Sequence, residues 1–117
     1  MSKPAAESFV PLRPVEFQVL LSLAQGERHG YGIMQETRSL SDGATVLEPG
    51  TLYRALRRML RAGLVVEAAG RPDPERADER RRYYRLTDLG RRVASAEAVR
   101  MQRLVSAARA QRLLGKA

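Results

Sequence analysis

Between Pro49 and Gly63 the chain reads PGTLYRALRRMLRAG, and no other stretch restricts the possible folds as much. Proline suits a first helical turn, where the N–H it lacks would find no partner, and glycine suits a helix end. Advancing about 100° per residue from Leu52, the residues Leu56, Met59, Leu60 and Gly63 fall within about 80° of it, with Ala55 just to the other side. Arg54, Arg57, Arg58 and Arg61 gather on the opposite face, with Thr51 at its edge and Tyr53 on the boundary. A solvated stripe ordinarily mixes acids with bases to gain pairs four residues apart. Here Arg54–Arg58 and Arg57–Arg61 are like-charge pairs at that spacing, and no acid follows Glu48 before Glu67. One side of this helix is expected on a core and the other on a polyanion. Arginine grips phosphate with two parallel hydrogen bonds and reads guanine O6 and N7, which suits it to DNA. A merely solvated face is the alternative.

The flanking sequence supplies the rest of a small domain. Pro14 opens a first helix with Val15, Val19, Leu20 and Leu23 on one stripe, and Gly26 is expected to end it. Ile33, Met34, Thr37 and Leu40 mark a second helix that stops near Asp42–Gly43. TVLE (45–48) allows a brief strand. LVVEAA and RRRYYRLT read as two strands of a hairpin, joined by the charged, proline-containing loop GRPDPERADE. Thr87 is the expected N-cap of a last helix from Asp88 to about Leu114, roughly 40 Å long. The order predicts a mainly α fold: a winged helix-turn-helix with a two-stranded β-wing and a long C-terminal dimerisation helix. The expected division is an N-terminal arm (1–13), the winged helix-turn-helix domain (14–87) and the dimerisation helix (88–117).

Composition limits function. Twenty-one Lys and Arg against 13 Asp and Glu give a net charge of +8, which favours polyanionic partners. The absence of cysteine excludes disulfides, thiol chemistry and cysteine-ligated metal, and the single histidine, His29, makes a metal site improbable. No phosphate loop is present, and the paired carboxylates (Asp73, Glu75, Asp78, Glu79) sit in the charged loop, poor ground for acid–base chemistry. No enzyme and no cofactor are expected. No apolar run is long enough for a signal peptide or a membrane span, so a cytoplasmic protein without a membrane partner is expected.

EPGTLYRALRRMLRAGLV resembles the recognition helix of PadR-type transcriptional regulators. RRYYRLTDLG resembles the second strand of their wing and the start of the next helix, and HGYGIMQE resembles their second helix. The three blocks fall in order across residues 12–92, as in the short branch of that family, which has one long C-terminal helix. The resemblance implies a homodimer on a two-fold, palindromic operator in double-stranded DNA, often a repressor released by a small-molecule effector, here unknown. Pro49, Gly50, Thr51 and Tyr53 match the start of the recognition helix, and Arg54, Arg57, Arg58 and Arg61 match its basic face. Glu48 departs from the usual serine or threonine. It favours the helix dipole but repels a nearby phosphate.

Other expectations follow residue by residue. Arg80, Arg81 and Arg82, at the loop end of the second wing strand, reach the flanking groove or phosphates, while Arg71 and Arg76 do so only if the loop orders. Tyr84 and Leu86 face the core. His29, Tyr31 and Gly50 are candidate phosphate contacts. Ala94, Ala98, Met101, Val105 and Ala108 recur at heptad-like spacing, broadened by Leu89, Val93 and Leu104, and form the expected dimer stripe. A ligand pocket is expected between the first and terminal helices. Two other function classes remain: a winged helix that binds nucleic acid without an operator (architectural or RNA-associated), and a protein-interaction module.

Overall fold

The computed structural model describes residues 5–68 and 82–115. A short 3-10 helix (Ala6–Phe9) precedes helix α1 (Pro14–Ser22), strand β1 (Arg28–His29) and helix α2 (Gly30–Leu40). Helix α3 (Pro49–Ala62), strands β2 (Val65–Ala68) and β3 (Tyr83–Leu86), and helix α4 (Asp88–Ala110) complete the chain. The winged helix-turn-helix expected from the sequence is the fold observed.

Local chemistry explains the boundaries. Pro49 starts α3, and Gly63 closes it in the left-handed region at φ 77°. The Leu64 N–H turns back to the Met59 carbonyl at 2.9 Å, satisfying one of the last open acceptors of the helix. Asp42 (φ 53°) and Gly43 (φ 80°) end α2 in the same manner. Thr87 caps α4: its hydroxyl accepts the Gly90 N–H at 2.9 Å and donates to the Gly63 carbonyl at 2.6 Å. Gly90 must stay bare there, because a Cβ would lie 1.9 Å from the Leu64 carbonyl oxygen.

The sheet is antiparallel in the order β1-β3-β2, with Val65 opposite Leu86 and Ala68 opposite Tyr83. Its inner face and the helices share one core. Leu52, Ala55, Leu56 and Met59 of α3 meet Val19, Leu20 and Leu23 from the first helical hairpin, Ile33 of α2, and Tyr84 of β3. At about 25 cal/mol per Å², such aliphatic burial is the main favourable contribution to folding.

Four expectations need correction. Residues 45–48 form no strand, and the third strand is instead β1, whose two residues pair with Tyr83 and Tyr84. It exists because β3 offers an open edge, not because of its own propensity. Helix α1 ends at Ser22, before Gly26, with the Leu23 N–H bonded back to the Leu20 carbonyl at 3.1 Å. Helix α4 ends at Ala110 instead of about Leu114, and Arg112 turns into the left-handed region at φ 61°. Of the expected loose arm, residues 5–13 are docked. Ala6 is buried, Phe9 and Leu12 pack on the core, and the Leu12 N–H donates to Glu97 Oε2 of α4 at 2.7 Å.

Candidate nucleic-acid interface

Helix α3 lies with its leucine side in the core and its arginine side outward, as its period requires. Arg54, Arg57 and Arg61 are exposed, and no carboxylate among the described residues is within ion-pair range of them. The Thr51 hydroxyl accepts from Arg54 Nη2 at 3.3 Å and so orients that guanidinium. Gly50 is exposed at the helix start, where a Cβ would come 3.3 Å from Arg54 Nη1.

One residue of the expected cationic face sits differently. Arg58 lies on the flank toward α1, half-exposed, with Nε 3.6 Å from Glu16 Oε2. Glu16 also faces Arg13 at 3.9 Å. Tyr53, on the boundary of the two faces, leans toward α2, and its hydroxyl covers Gly30, where a Cβ would lie 2.5 Å away. It braces α3 against the preceding helix while keeping part of its ring exposed.

His29 is the N-cap of α2. Its Nδ1 accepts the Gly32 N–H at 2.9 Å, and its ring packs 5.5 Å from that of Tyr83. That nitrogen is occupied by the cap and is not offered to a phosphate. Tyr31, two residues on, is 62% exposed. In the wing, Arg82 is exposed but paired with Glu67 across the hairpin at 3.2 Å. Arg80, Arg81, Arg71 and Arg76 lie outside the described residues.

The terminal helix divides into two halves. Val93 is 0% exposed, and Leu89 and Ala94 pack against the same core. These three residues of the expected dimer stripe therefore serve their own domain, because the first turns of α4 lie directly over it. Ala98, Met101, Leu104 and Val105 are exposed, with Leu104 at 58%, and Ala108 is half-buried. Between the halves Glu97 is buried, its carboxylate bonded to Arg100 Nε and to the Leu12 N–H. The Arg100 hydrogen bond, joined by the Leu12 N–H, holds this carboxyl below its ordinary range against the opposing effect of burial. Glu97 was not expected from the sequence, although helical spacing puts it on the same face as Val93, four residues earlier. Glu16 was not expected either, and local sequence carries no signal for its role.

A groove of about 270 Å³ runs between α1 and α4, lined by Leu12, Phe17, Gln18, Leu21, Leu40 and Met101, among others. Gln18 Oε1 is buried without a hydrogen-bond partner among the described residues. No group of three or more potential metal ligands occurs among the described residues, and none of their helices is long and apolar enough to cross a membrane.

A helical triad, a hairpin wing and an open arginine face define a winged helix-turn-helix DNA-binding protein. The family model for the transcriptional regulator PadR-like family matches residues 19–96, so the chain belongs to that family, whose members are DNA-binding regulators and not enzymes. Solved structures share the fold. A transcriptional regulator from Clostridium thermocellum is 23% identical with a TM-score of 0.67, over 92% of this chain and 93% of that one. A PadR family transcription regulator from Clostridium difficile is 24% identical with a TM-score of 0.63, over 86% and 98%. Bacillus subtilis PadR, solved in complex with operator DNA, is 20% identical with a TM-score of 0.61, over 73% of this chain and 46% of that one. No curated protein matches the chain.

Proposed function

We propose that this protein is a homodimeric, sequence-specific transcriptional regulator that binds a palindromic operator through α3 and acts as a cytoplasmic repressor released by a small molecule. The observation that carries the DNA reading is the exposed row of Arg54, Arg57 and Arg61 opposite the buried Leu52, Ala55, Leu56 and Met59. Thr51 and the exposed part of Tyr53 flank that row, Arg58 borders it, and the exposed Gly50 and Tyr31 are the proposed contacts to backbone phosphates. Arg82, with Arg80 and Arg81 beside it in sequence, would follow the flanking groove. The exposed Ala98, Met101, Leu104 and Val105 favour a second copy as partner, since an isolated helix end gains little from displaying such residues to water. Two α3 helices would then sit about one duplex turn apart, near 34 Å or a multiple of it. The α1–α4 groove, lined largely by apolar side chains, suits a mainly apolar effector.

Fluorescence anisotropy with the protein's own promoter and a scrambled duplex, over a salt series, tests this reading. A specific regulator binds the promoter about 10³-fold or more tighter than the scrambled duplex. Equal affinities that fall steeply with salt would mean that the arginine face senses only phosphate charge.

A further inference from the structure

Arg58 alone among the α3 arginines has a carboxylate within ion-pair range among the described residues. Its partner, Glu16, lies on α1 one turn before the fully buried Val19 and Leu20, and its side chain is only 14% exposed. The pair is poorly made. Glu16 Oε2 stands 3.6 Å from Arg58 Nε, and that nitrogen is buried with no hydrogen-bond acceptor. The attraction is therefore Coulombic only, without the hydrogen bond that makes a guanidinium–carboxylate pair strong. A phosphate can make short, paired, charge-assisted hydrogen bonds to a guanidinium, which the fixed carboxylate does not.

We infer that Glu16 is an internal stand-in for phosphate, holding Arg58 in the free protein until a duplex displaces it. The inference rests on the reading of α3 as the DNA-facing helix. Its consequence is a lower affinity for every duplex that engages Arg58, because the pair must first be broken and its free energy is subtracted from each phosphate-held complex alike. Glu16 thus lowers the affinity for DNA without touching it. It is a positioning residue for Arg58.

The test uses the full chain and a scrambled duplex, with log affinity measured against log salt for wild type, Glu16→Gln, Arg58→Ala and the double variant. Glu16→Gln is expected to bind roughly two- to fivefold tighter, with the salt slope unchanged to within about 0.9, the value of one phosphate contact, because Arg58 reaches phosphate in both proteins. In the Arg58→Ala background the same substitution leaves the affinity unchanged. Glu16→Asp keeps the net charge but shortens the reach, so it too should bind tighter than wild type. This second variant also preserves the test if Glu16→Gln fails to fold. An unchanged affinity, a gain that persists without Arg58, weaker binding by Glu16→Gln, or no gain by Glu16→Asp would each overturn the inference. Arg57→Ala separates the two readings. If wild type binds duplex and Arg57→Ala weakens it while the Glu16 variants are silent, only the role of Glu16 fails. If wild type binds no duplex at low salt, the DNA reading fails first.

Discussion

Helices α3 and α4 are both amphipathic, but they show solvent opposite characters. Helix α3 has Leu52, Ala55, Leu56 and Met59 buried in its own domain and leaves a cationic face open. Helix α4 is covered only over its first turns, at Leu89, Val93 and Ala94, and then leaves Met101, Leu104 and Val105 uncovered. An open cationic face is stable in water and waits for a polyanion. An open apolar face is not, and what covers it must itself be apolar. The same chain thus advertises two different partners, one per helix. The intrachain ion pairs mark the division: Glu16 meets the flank of α3, and Glu97 with Arg100 sits where the covered part of α4 ends.

The contrast can be broken most severely at the exposed end of α4. Val105→Glu would place two carboxylates across the proposed two-fold interface, and an unpaired buried charge costs about 3–5 kcal/mol. Sedimentation should show a monomer with an unchanged circular dichroism spectrum, and a monodisperse dimer would remove this stripe from the interface. On the covered side of α3, Leu52→Ala should cost roughly 2–5 kcal/mol in urea unfolding, because it empties a fully buried site. On the open side of the same helix, Arg57→Ala should leave that unfolding curve unmoved and weaken operator binding by about 1–3 kcal/mol in anisotropy if it reads a base. Thr87→Ala, which removes the cap shared by the two helices, should lower the unfolding free energy by ~1 kcal/mol.

The smallest effect is an acid one. Because Glu97 titrates lower in the folded chain than in the unfolded one, its contribution is present above the unfolded value, near pH 4, and fades as pH falls through the folded value. Glu97→Gln should therefore flatten the acid limb of a stability-against-pH curve and leave its shape near neutrality unchanged. An acid limb as steep as that of wild type would mean that other carboxylates govern it.

Much of this was legible in the sequence, for a physical reason. Helix α3 is bounded by Pro49 and Gly63 and follows one period throughout, so local rules alone give its limits and its two faces. Thr87 as a cap and Tyr84 as a core residue followed from equally local chemistry. What escaped was created by tertiary contact. Strand β1 forms only because β3 needs an edge partner. Residues 5–13 dock because Ala6, Phe9 and Leu12 find apolar surface on the core and Glu97 offers its carboxylate to the Leu12 N–H. Val93 fits a heptad as well as a core, and helical spacing does not tell the two apart. Arg58 lies on the arginine stripe by periodicity, yet the neighbouring helix supplies a carboxylate that no i,i+4 rule anticipates.

The hydroxyl of Thr87 has a mechanical consequence. It grips the last carbonyl after α3 with one hand and the first free amide of α4 with the other, with the bare Gly90 letting the backbones touch. The two helices turn on a joint with almost no slack. A pair of chains joined through α4 would behave like drafting dividers, whose points are set by the angle at the hinge. Whatever tilts one α4 against its partner would then reset the span between the two points, and a molecule that never touches the duplex would alter the length of duplex that fits.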